Sequence, residues 1–248
     1  MNVRQQQILQ LLQQNGFVSV DYLCKKLYSS GATIRRDLAL LETDQKLKRI
    51  HGGAIGLNGI SSDSPYSFRN NSNVEEKKHI AALAKKLVRD SMTMFLDSSS
   101  SVTYLASELA AFHNLSIITN SVEIVYHLAA HTDAHVYASG GKIRNNVTMY
   151  GSAAQTMLRD RYADIFFFSC SGFSPVHGTT ESNEDSVEIK QIMFQNSTKR
   201  VLLCDSSKIG KVFSYKCFSL SQLDIIITDQ RPSDEFLKSC PDTVKIYY

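Results

Sequence analysis

The chain has 248 residues, 43% of them hydrophobic and 21% charged, with a formal net charge of +3, which is globular composition with room for one sizeable core and a small second domain. Its five cysteines (Cys24, Cys170, Cys204, Cys217 and Cys240) show no Cys-x-x-Cys or Cys/His ligand spacing, and Cys170 and Cys204 end apolar runs as buried thiols do; this argues against a disulfide scaffold or a metal site. No apolar run approaches a membrane span and no signal-peptide-like segment opens the chain, so a reduced cytoplasmic protein without a membrane partner is expected.

Three helical patterns come first. Ile8, Leu9, Leu11 and Leu12 mark one face of the first. Ser19 is placed to cap the second, with Val20, Leu23 and Leu27 inward. Ser30 is placed to cap the third, with Ile34, Leu38 and Leu41 inward. The stretch 46–54 then reads as strand, glycine turn and strand. Three helices and a hairpin make a winged helix-turn-helix over residues 1–57. Residues 1–58 hold eight basic and four acidic side chains, while the remainder carries one excess acid. A cationic head on a near-neutral body fits a polyanion partner at one end.

The third helix is where that partner would be read. With Ile34, Leu38 and Leu41 inward, Ala32, Arg36 and Ala39 point outward, and Thr33 and Arg35 flank them. Small residues at a helix start allow close approach to base edges, and arginines supply bidentate contacts to guanine or grip phosphate. Ser30, Ala32, Thr33, Arg35 and Arg36 are therefore the expected contacts to double-stranded operator DNA. Lys48, Arg49, His51 and Gly52 would follow the backbone from the wing, with Gly52 and Gly53 allowing the tight turn. The competing reading is a surface helix whose arginines pair with Asp37 or Glu42.

Residues 58–74 are rich in Gly, Ser, Asn and Asp and read as a linker. From 75 to 248 the pattern alternates. Strands are expected at Thr93–Leu96, Ser116–Thr119, His135–Ala138, Ile165–Ser169, Val201–Cys204 and Ile225–Thr228. Helices are expected at 76–90, 100–112, 121–131, 151–160 and 184–197. Such alternation implies an α/β domain, a doubly wound and mostly parallel sheet with helices on both faces.

In such a sheet, ligands bind beyond the carboxyl ends of the strands. Asp97, Asn120, Gly140-Gly141, Ser171-Gly172 and Asp205 each follow directly on an expected strand. Ser98, Ser99 and Ser100 feed a helix start that would suit a phosphate, with Asp97 better suited to a sugar hydroxyl. Ser121 follows Asn120. Lys142 adds charge beside the two glycines, and Ser207 and Lys208 add a hydroxyl and a cation beside Asp205. His113, His127, His131 and His135 lack metal-ligand spacing, and no metal or cofactor is expected.

With these residues in view, the chain resembles the DeoR family of bacterial transcriptional regulators. The resemblance is carried by Arg4-Gln5-Gln6-Gln7-Ile8-Leu9, Thr33-Ile34-Arg35-Arg36-Asp37-Leu38 and Arg49-Ile50-His51-Gly52-Gly53-Ala54. It continues through Glu76-Lys77 with Ile80-Ala81, Phe95-Leu96-Asp97-Ser98-Ser99, Thr119-Asn120-Ser121, Gly140-Gly141-Lys142 and Asp205-Ser206-Ser207-Lys208. It implies a regulator, with repression expected, of a carbohydrate-use operon. It also implies a C-terminal domain resembling sugar-phosphate isomerases that senses a phosphorylated sugar. Glu188 and Lys190 fall near the same edge by resemblance, whereas by pattern they form a solvated helix face. Tyr28 and Gln45 stand where the family often has glycine, which implies a wing and a helix junction that differ in detail.

The rival reading is an active sugar-phosphate isomerase fused to a DNA-binding head. Isomerisation needs a general base at the carbon-bound proton. In isomerase-like relatives carboxylates flank a glycine after the central strand; here Phe168-Ser169-Cys170-Ser171-Gly172-Phe173 has none, and Ser171 replaces an aspartate common in DeoR-type sensors. Glu181, Glu184 and Asp185 come later, on a loop or helix start. Ligand sensing is therefore expected and catalysis is not. A homo-oligomer, dimer or tetramer, would pair the heads on repeated half-sites.

Overall fold

The computed structural model describes residues 1–15, 17–50, 52–56, 66–144 and 147–248. The chain divides into two compact units, Met1–Ser72 and Asn73–Tyr248.

The first unit opens with helix α1 (Val3–Asn15), strand β1 (Phe17–Ser19), and helices α2 (Val20–Lys26) and α3 (Gly31–Thr43). Strands β2 (Leu47–Ile50) and β3 (Gly53–Gly56) follow, and then the short helix α4 (Tyr66–Asn70). Ser19 and Ser30 cap α2 and α3 as expected, accepting from the Tyr22 and Thr33 backbone N–H groups. Ile8, Leu12, Val20, Leu23, Ile34, Leu38 and Leu41 close the core, with Leu9, Leu11 and Leu27 partly buried against it. Ala39 is half-buried rather than outward. The wing has a third strand that the pattern did not show, because β1 is only three residues long; the sheet order is β1-β3-β2. The expected 58–74 linker is partly structured: α4 lies within it, and residues 57–65 are outside the described residues.

Tyr28 and Gln45 do not change the geometry that glycine would have given. Both adopt the left-handed conformation, at φ 49° and 52°. Each closes its helix with a six-to-one bond, Ser29 N–H to Cys24 O at 3.2 Å and Lys46 N–H to Leu41 O at 2.9 Å. The helix endings thus keep a conformation that costs a side-chain-bearing residue roughly 1–2 kcal/mol. Tyr28 is 97% exposed and contributes little packing there. Tyr28→Gly and Gln45→Gly are each expected to stabilise the head by up to about 1 kcal/mol, read as a higher midpoint in urea.

The second unit begins with α5 (Val74–Lys85), β4 (Thr93–Leu96), α6 (Ser100–Ala106), β5 (Ser116–Thr119), α7 (Val122–His131) and β6 (His135–Ala138). A hairpin of β7 (Lys142–Arg144) and β8 (Thr148–Tyr150) leads to α8 (Ser152–Arg159) and β9 (Ala163–Phe168). Next come β10 (Gly172–Ser174), β11 (Gly178–Glu181), α9 (Glu184–Gln195), β12 (Ser197–Leu203) and β13 (Tyr215–Phe218). The chain ends with β14 (Ile225–Ile227), α10 (Asp234–Ser239) and β15 (Lys245–Tyr247).

Seven of these strands form one parallel sheet, ordered β15-β14-β12-β9-β4-β5-β6. Apolar side chains alternate to its two faces, as burial on both sides demands. Met94, Leu96, Ile117, Ile165 and Phe167 pack with α5, α6 and α7, while Phe95, Ile118, Phe166 and Phe168 pack with α8, α9 and α10. The chain winds outward through β4, β5 and β6, then returns to place β9 on the other side of β4. The strand order therefore reverses between β4 and β9, and in open α/β sheets the ligand crevice lies beyond the strand carboxyl ends at such a reversal. The antiparallel sheet β10-β11-β13 and the β7–β8 hairpin, neither expected, lie among the segments that follow these strand ends.

Candidate DNA-reading head and effector site

Helix α3 presents Ala32, Arg35 and Arg36 outward, with Thr33 half-buried. The Ser30 and Thr33 hydroxyls bond each other at 2.9 Å across the helix start. The competing reading of this helix fails on its partners. Asp37 is buried and taken by helix α1: Arg4 Nε lies 2.5 Å from Oδ2, and Gln5 Nε2 donates to Oδ1 at 3.2 Å. Two motifs far apart in sequence, Arg4-Gln5 and Asp37, are thus the two sides of one contact that fixes α1 against α3. Glu42 is taken by Arg49, whose backbone N–H donates to Oε1 at 2.7 Å and whose Nε lies 3.5 Å from Oε2. Arg49 is therefore tethered to the helix rather than extended from the wing. Arg35 and Arg36 have no carboxylate partner among the described residues. The Arg35 guanidinium leans back over Gly31, where a Cβ would lie 3.1 Å from its Nη1.

Lys48 is exposed on β2. Gly52 turns the wing at φ 80°, and Gly53 serves closeness instead: a Cβ there would come 2.2 Å from the Val18 carbonyl oxygen. His51 lies outside the described residues.

In the second unit the strand ends converge as the topology requires. Asp97, after β4, accepts from the Ser99 N–H at 2.9 Å and from the Ser169 N–H, after β9, at 3.1 Å. Ser98 Oγ accepts from Thr148 Oγ1 at 3.0 Å and from Asn120 Nδ2 at 3.5 Å, so the β7–β8 hairpin reaches the same edge. Ser169 Oγ accepts from Lys208 Nζ at 2.7 Å. Asp205 lies 3.4 Å from Lys208 Nζ and accepts from Ser207 Oγ. Asn120 and Ser101 are buried, and Asn120 Oδ1 and Ser101 Oγ have no hydrogen-bond partner among the described residues.

Several expected roles change here. Lys190 is not on a solvated helix face. It is 8% exposed, and its ammonium lies 3.2 Å from Asp97 Oδ2, bonds Glu181 Oε1, and donates to Ser169 O at 2.6 Å. Burial opposes its charge, but Glu181 and Asp97 outweigh burial and raise its pKa, so it stays protonated. The crevice between β4 and β9 thus holds the protein's own cation. Asp97, with both oxygens engaged, is a structural acceptor before it is a sugar ligand. Glu188 is exposed and accepts from Gln155 Nε2 at 2.7 Å.

Ser99 and Ser121 spend their hydroxyls capping α6 and α7, and Ser100 is buried in the first turn of α6. Gly140 and Gly141 both have positive φ, and a Cβ on Gly141 would come 2.3 Å from the Tyr150 carbonyl oxygen. Their role is to let the hairpin fold back. Gly172 is buried at the start of β10. Lys142 is exposed on β7.

Glu181 is the residue that sequence reasoning underrated. It is not on a loop or helix start but at the end of β11, 5% exposed, where it accepts from Ser171 Oγ at 2.8 Å. It supplies the carboxylate that the segment 168–173 lacks. The only sequence signal was its place at the end of a Gly-Thr-Thr-Glu run.

Asp205 carries a pH consequence. Burial would raise its carboxyl, but Lys208, the Ser207 hydroxyl, Lys77 and Asn73 together hold it below the ordinary value. A depressed folded pKa adds stability at neutral pH that is lost as pH falls through the carboxylate range. Asp205→Asn is expected to flatten that acid limb, seen in melts between neutral and acid pH. The Cys170 sulfur and burial push the Cys204 thiol well up, and burial pushes Cys217 up, in keeping with inert free thiols.

Comparison with known proteins decides between the readings of this arrangement. The profile of the DeoR-like helix-turn-helix domain matches residues 4–58, and that of the DeoR C terminal sensor domain matches residues 72–230. The chain belongs to the DeoR family. It is 32% identical to the HTH-type transcriptional regulator GolR of Listeria innocua, over 96% of this chain and 94% of that one. It is 32% identical to the HTH-type transcriptional repressor GlcR of Bacillus subtilis, over 92% and 88%. It is 30% identical to the L-fucose operon activator of Escherichia coli, over 92% and 95%. A ribose 5-phosphate isomerase A from Methanocaldococcus jannaschii aligns with 56% of this chain and 55% of its own, at 19% identity and a TM-score of 0.42; a likeness this distant carries no argument about activity.

As a DeoR-family member the chain is a DNA-binding transcriptional regulator and not an enzyme. Among the described residues of this regulator no helix is long and apolar enough to cross a membrane, and no cluster of three or more His, Cys, Asp or Glu side chains could hold a metal ion.

Proposed function

We propose that this DeoR-family regulator controls a carbohydrate-use operon and responds to a phosphorylated sugar bound at the carboxyl ends of β4, β5, β9 and β12. The observation that carries the reading is the convergence there of cations, hydroxyls and buried acceptors. Lys208, Ser207 and Ser98 supply charge and hydroxyl groups, and Asn120 Oδ1 is a buried acceptor with no donor among the described residues. A phosphate needs the first set and a sugar hydroxyl the second. Ser171 and Gly172 border the same crevice through Glu181. Ser30, Ala32, Thr33, Arg35 and Arg36 read the operator, with Lys48, His51 and Gly52 along its backbone and Arg49 holding the wing to α3 through Glu42.

The protein acts as a homo-oligomer, dimer or tetramer, pairing heads on repeated half-sites in the cytoplasm, and represses by occupying the promoter. Names among the relatives include both a repressor and an activator, so a reporter fusion with and without the gene reads the sign. The central test is a thermal-shift screen with glucose 6-phosphate, fructose 1-phosphate, fructose 6-phosphate and ribose 5-phosphate, followed by operator titration with each binder. A binder is expected to shift operator affinity, and DNA must then shift its affinity by the same factor. Turnover at an enzyme-like rate, or no response to any member, defeats this reading.

A further inference from the structure

Asn73 is the first residue of the second compact unit, next to the chain that joins it to the first. It stands at the N-terminal boundary of α5 in the left-handed conformation, φ 52° and ψ 47°, and its side chain makes no cap to its own helix. An asparagine at that position ordinarily accepts from the helix N–H groups. Here the carboxamide turns away. Nδ2 donates to Asp205 Oδ1 at 3.1 Å and to Ser207 Oγ at 3.0 Å, across 132 and 134 residues of chain. Lys77, one turn into α5, acts on the same Asp205 carboxylate. The far side of the loop is anchored elsewhere: the Ser206 N–H and hydroxyl both donate to Asp229, and Lys208 donates to Ser169 Oγ.

We propose that Asn73 is the latch through which effector binding reaches the DNA-binding unit. The inference rests on the reading of the 205–208 loop as part of the phosphorylated-sugar site. A sugar hydroxyl that donates to Asp205 Oδ1 competes with the Asn73 carboxamide for that acceptor, and a phosphoryl oxygen that accepts the Ser207 proton takes it from Asp205 and rotates the hydroxyl on whose oxygen Nδ2 also rests. Asn73 then loses the contacts that hold it in a sparsely populated backbone region. Its φ and ψ set the direction in which the chain leaves α5 toward Ser72. Effector and head are thereby biased by one residue with two arrangements, and the effector acts only by favouring one of them.

The test uses the full-length protein and a duplex selected from a random pool by the wild type. Asn73→Ala and Asn73→Gly both remove the carboxamide, and glycine keeps the left-handed backbone without strain. Both variants are expected to shift duplex affinity by roughly 5–150-fold without any ligand. The shift follows the direction in which the active sugar phosphate moves the wild type, and that sugar phosphate has little further effect on either variant. Wild-type affinity in both folded variants overturns the latch, and so does a shift in the alanine variant alone. A shift in both variants, with no sugar phosphate of the four moving the wild type, keeps the latch and defeats the effector reading instead. If the alanine variant does not fold, the glycine variant and amide exchange at residues 74–77 of the wild type decide: faster exchange on ligand addition supports the latch, and unchanged exchange overturns it.

Discussion

Replacing Lys190 with methionine is expected to destabilise the second unit by roughly 3–5 kcal/mol. Methionine matches the length of the lysine stem but carries no charge. It leaves Asp97, at 1% exposure, and Glu181, at 5%, facing each other with no cation between them. The Ser169 carbonyl loses its donor as well. Removing one partner of a buried ionic cluster costs more than the cluster contributed, because the remaining charges keep their desolvation penalty. For a unit of this size the melting temperature falls by roughly 6–20 °C. Glu181→Gln in the Lys190→Met background is expected to recover part of that loss, since it removes one of the two stranded charges. A melt of Lys190→Met within a degree of wild type would mean that the ammonium is not the keystone of the crevice. The result bears on function too, because Ser171 reaches this cluster through Glu181, and any ligand touching Ser171 touches a group of one ammonium and two carboxylates.

The second large effect concerns the head. Arg36→Ala is expected to cost roughly 1–3 kcal/mol of affinity for the selected duplex and to relax specificity at one base position. Lys48→Ala is expected to weaken binding to all sequences alike and to reduce the slope of log affinity on log salt by about one. The difference comes from geometry. Arg36 stands on the exposed side of α3 with its neighbouring carboxylates already spoken for, Asp37 by Arg4 and Glu42 by Arg49. Arg35 lies back over Gly31 and must swing out to reach a base. If Arg35→Ala loses specificity and Arg36→Ala does not, the roles of the two arginines are exchanged. Fluorescence anisotropy at several salt concentrations reads all three variants.

Much of the head was legible in the sequence because its signals are local. The inward positions of α2 and α3, both serine caps and the glycine wing are written within a few residues of where they act. What was not legible was the pairing across the head. Arg35 and Arg36 could have met Asp37 or Glu42 by spacing alone. The fold gives those carboxylates to Arg4 and Arg49 instead, and that assignment leaves Arg35 and Arg36 without an acid partner among the described residues. In the second unit the strands were legible as apolar runs, and so were the polar residues that follow them. The antiparallel pieces β7–β8 and β10-β11-β13 were not, since three- and four-residue strands carry too little periodicity to register.

The sequence by itself determined the classes of part: a winged helix-turn-helix with excess positive charge, a parallel α/β sheet, and polar residues at its strand ends. These follow from periodicity, capping and composition, which act over one helix turn or one strand. Only the tertiary structure decided which polar residues are already spent on partners within the fold. Lys190 reads as a surface lysine by helical pattern, yet packing buries it between Asp97 and Glu181. Asn73 reads as a linker residue, yet its carboxamide spans more than 130 residues of chain to Asp205. Charge and hydrogen-bonding capacity belong to the residue, but the partner that neutralises them is chosen by the fold, and that choice separates the structural groups of the sensor from those left to meet an effector.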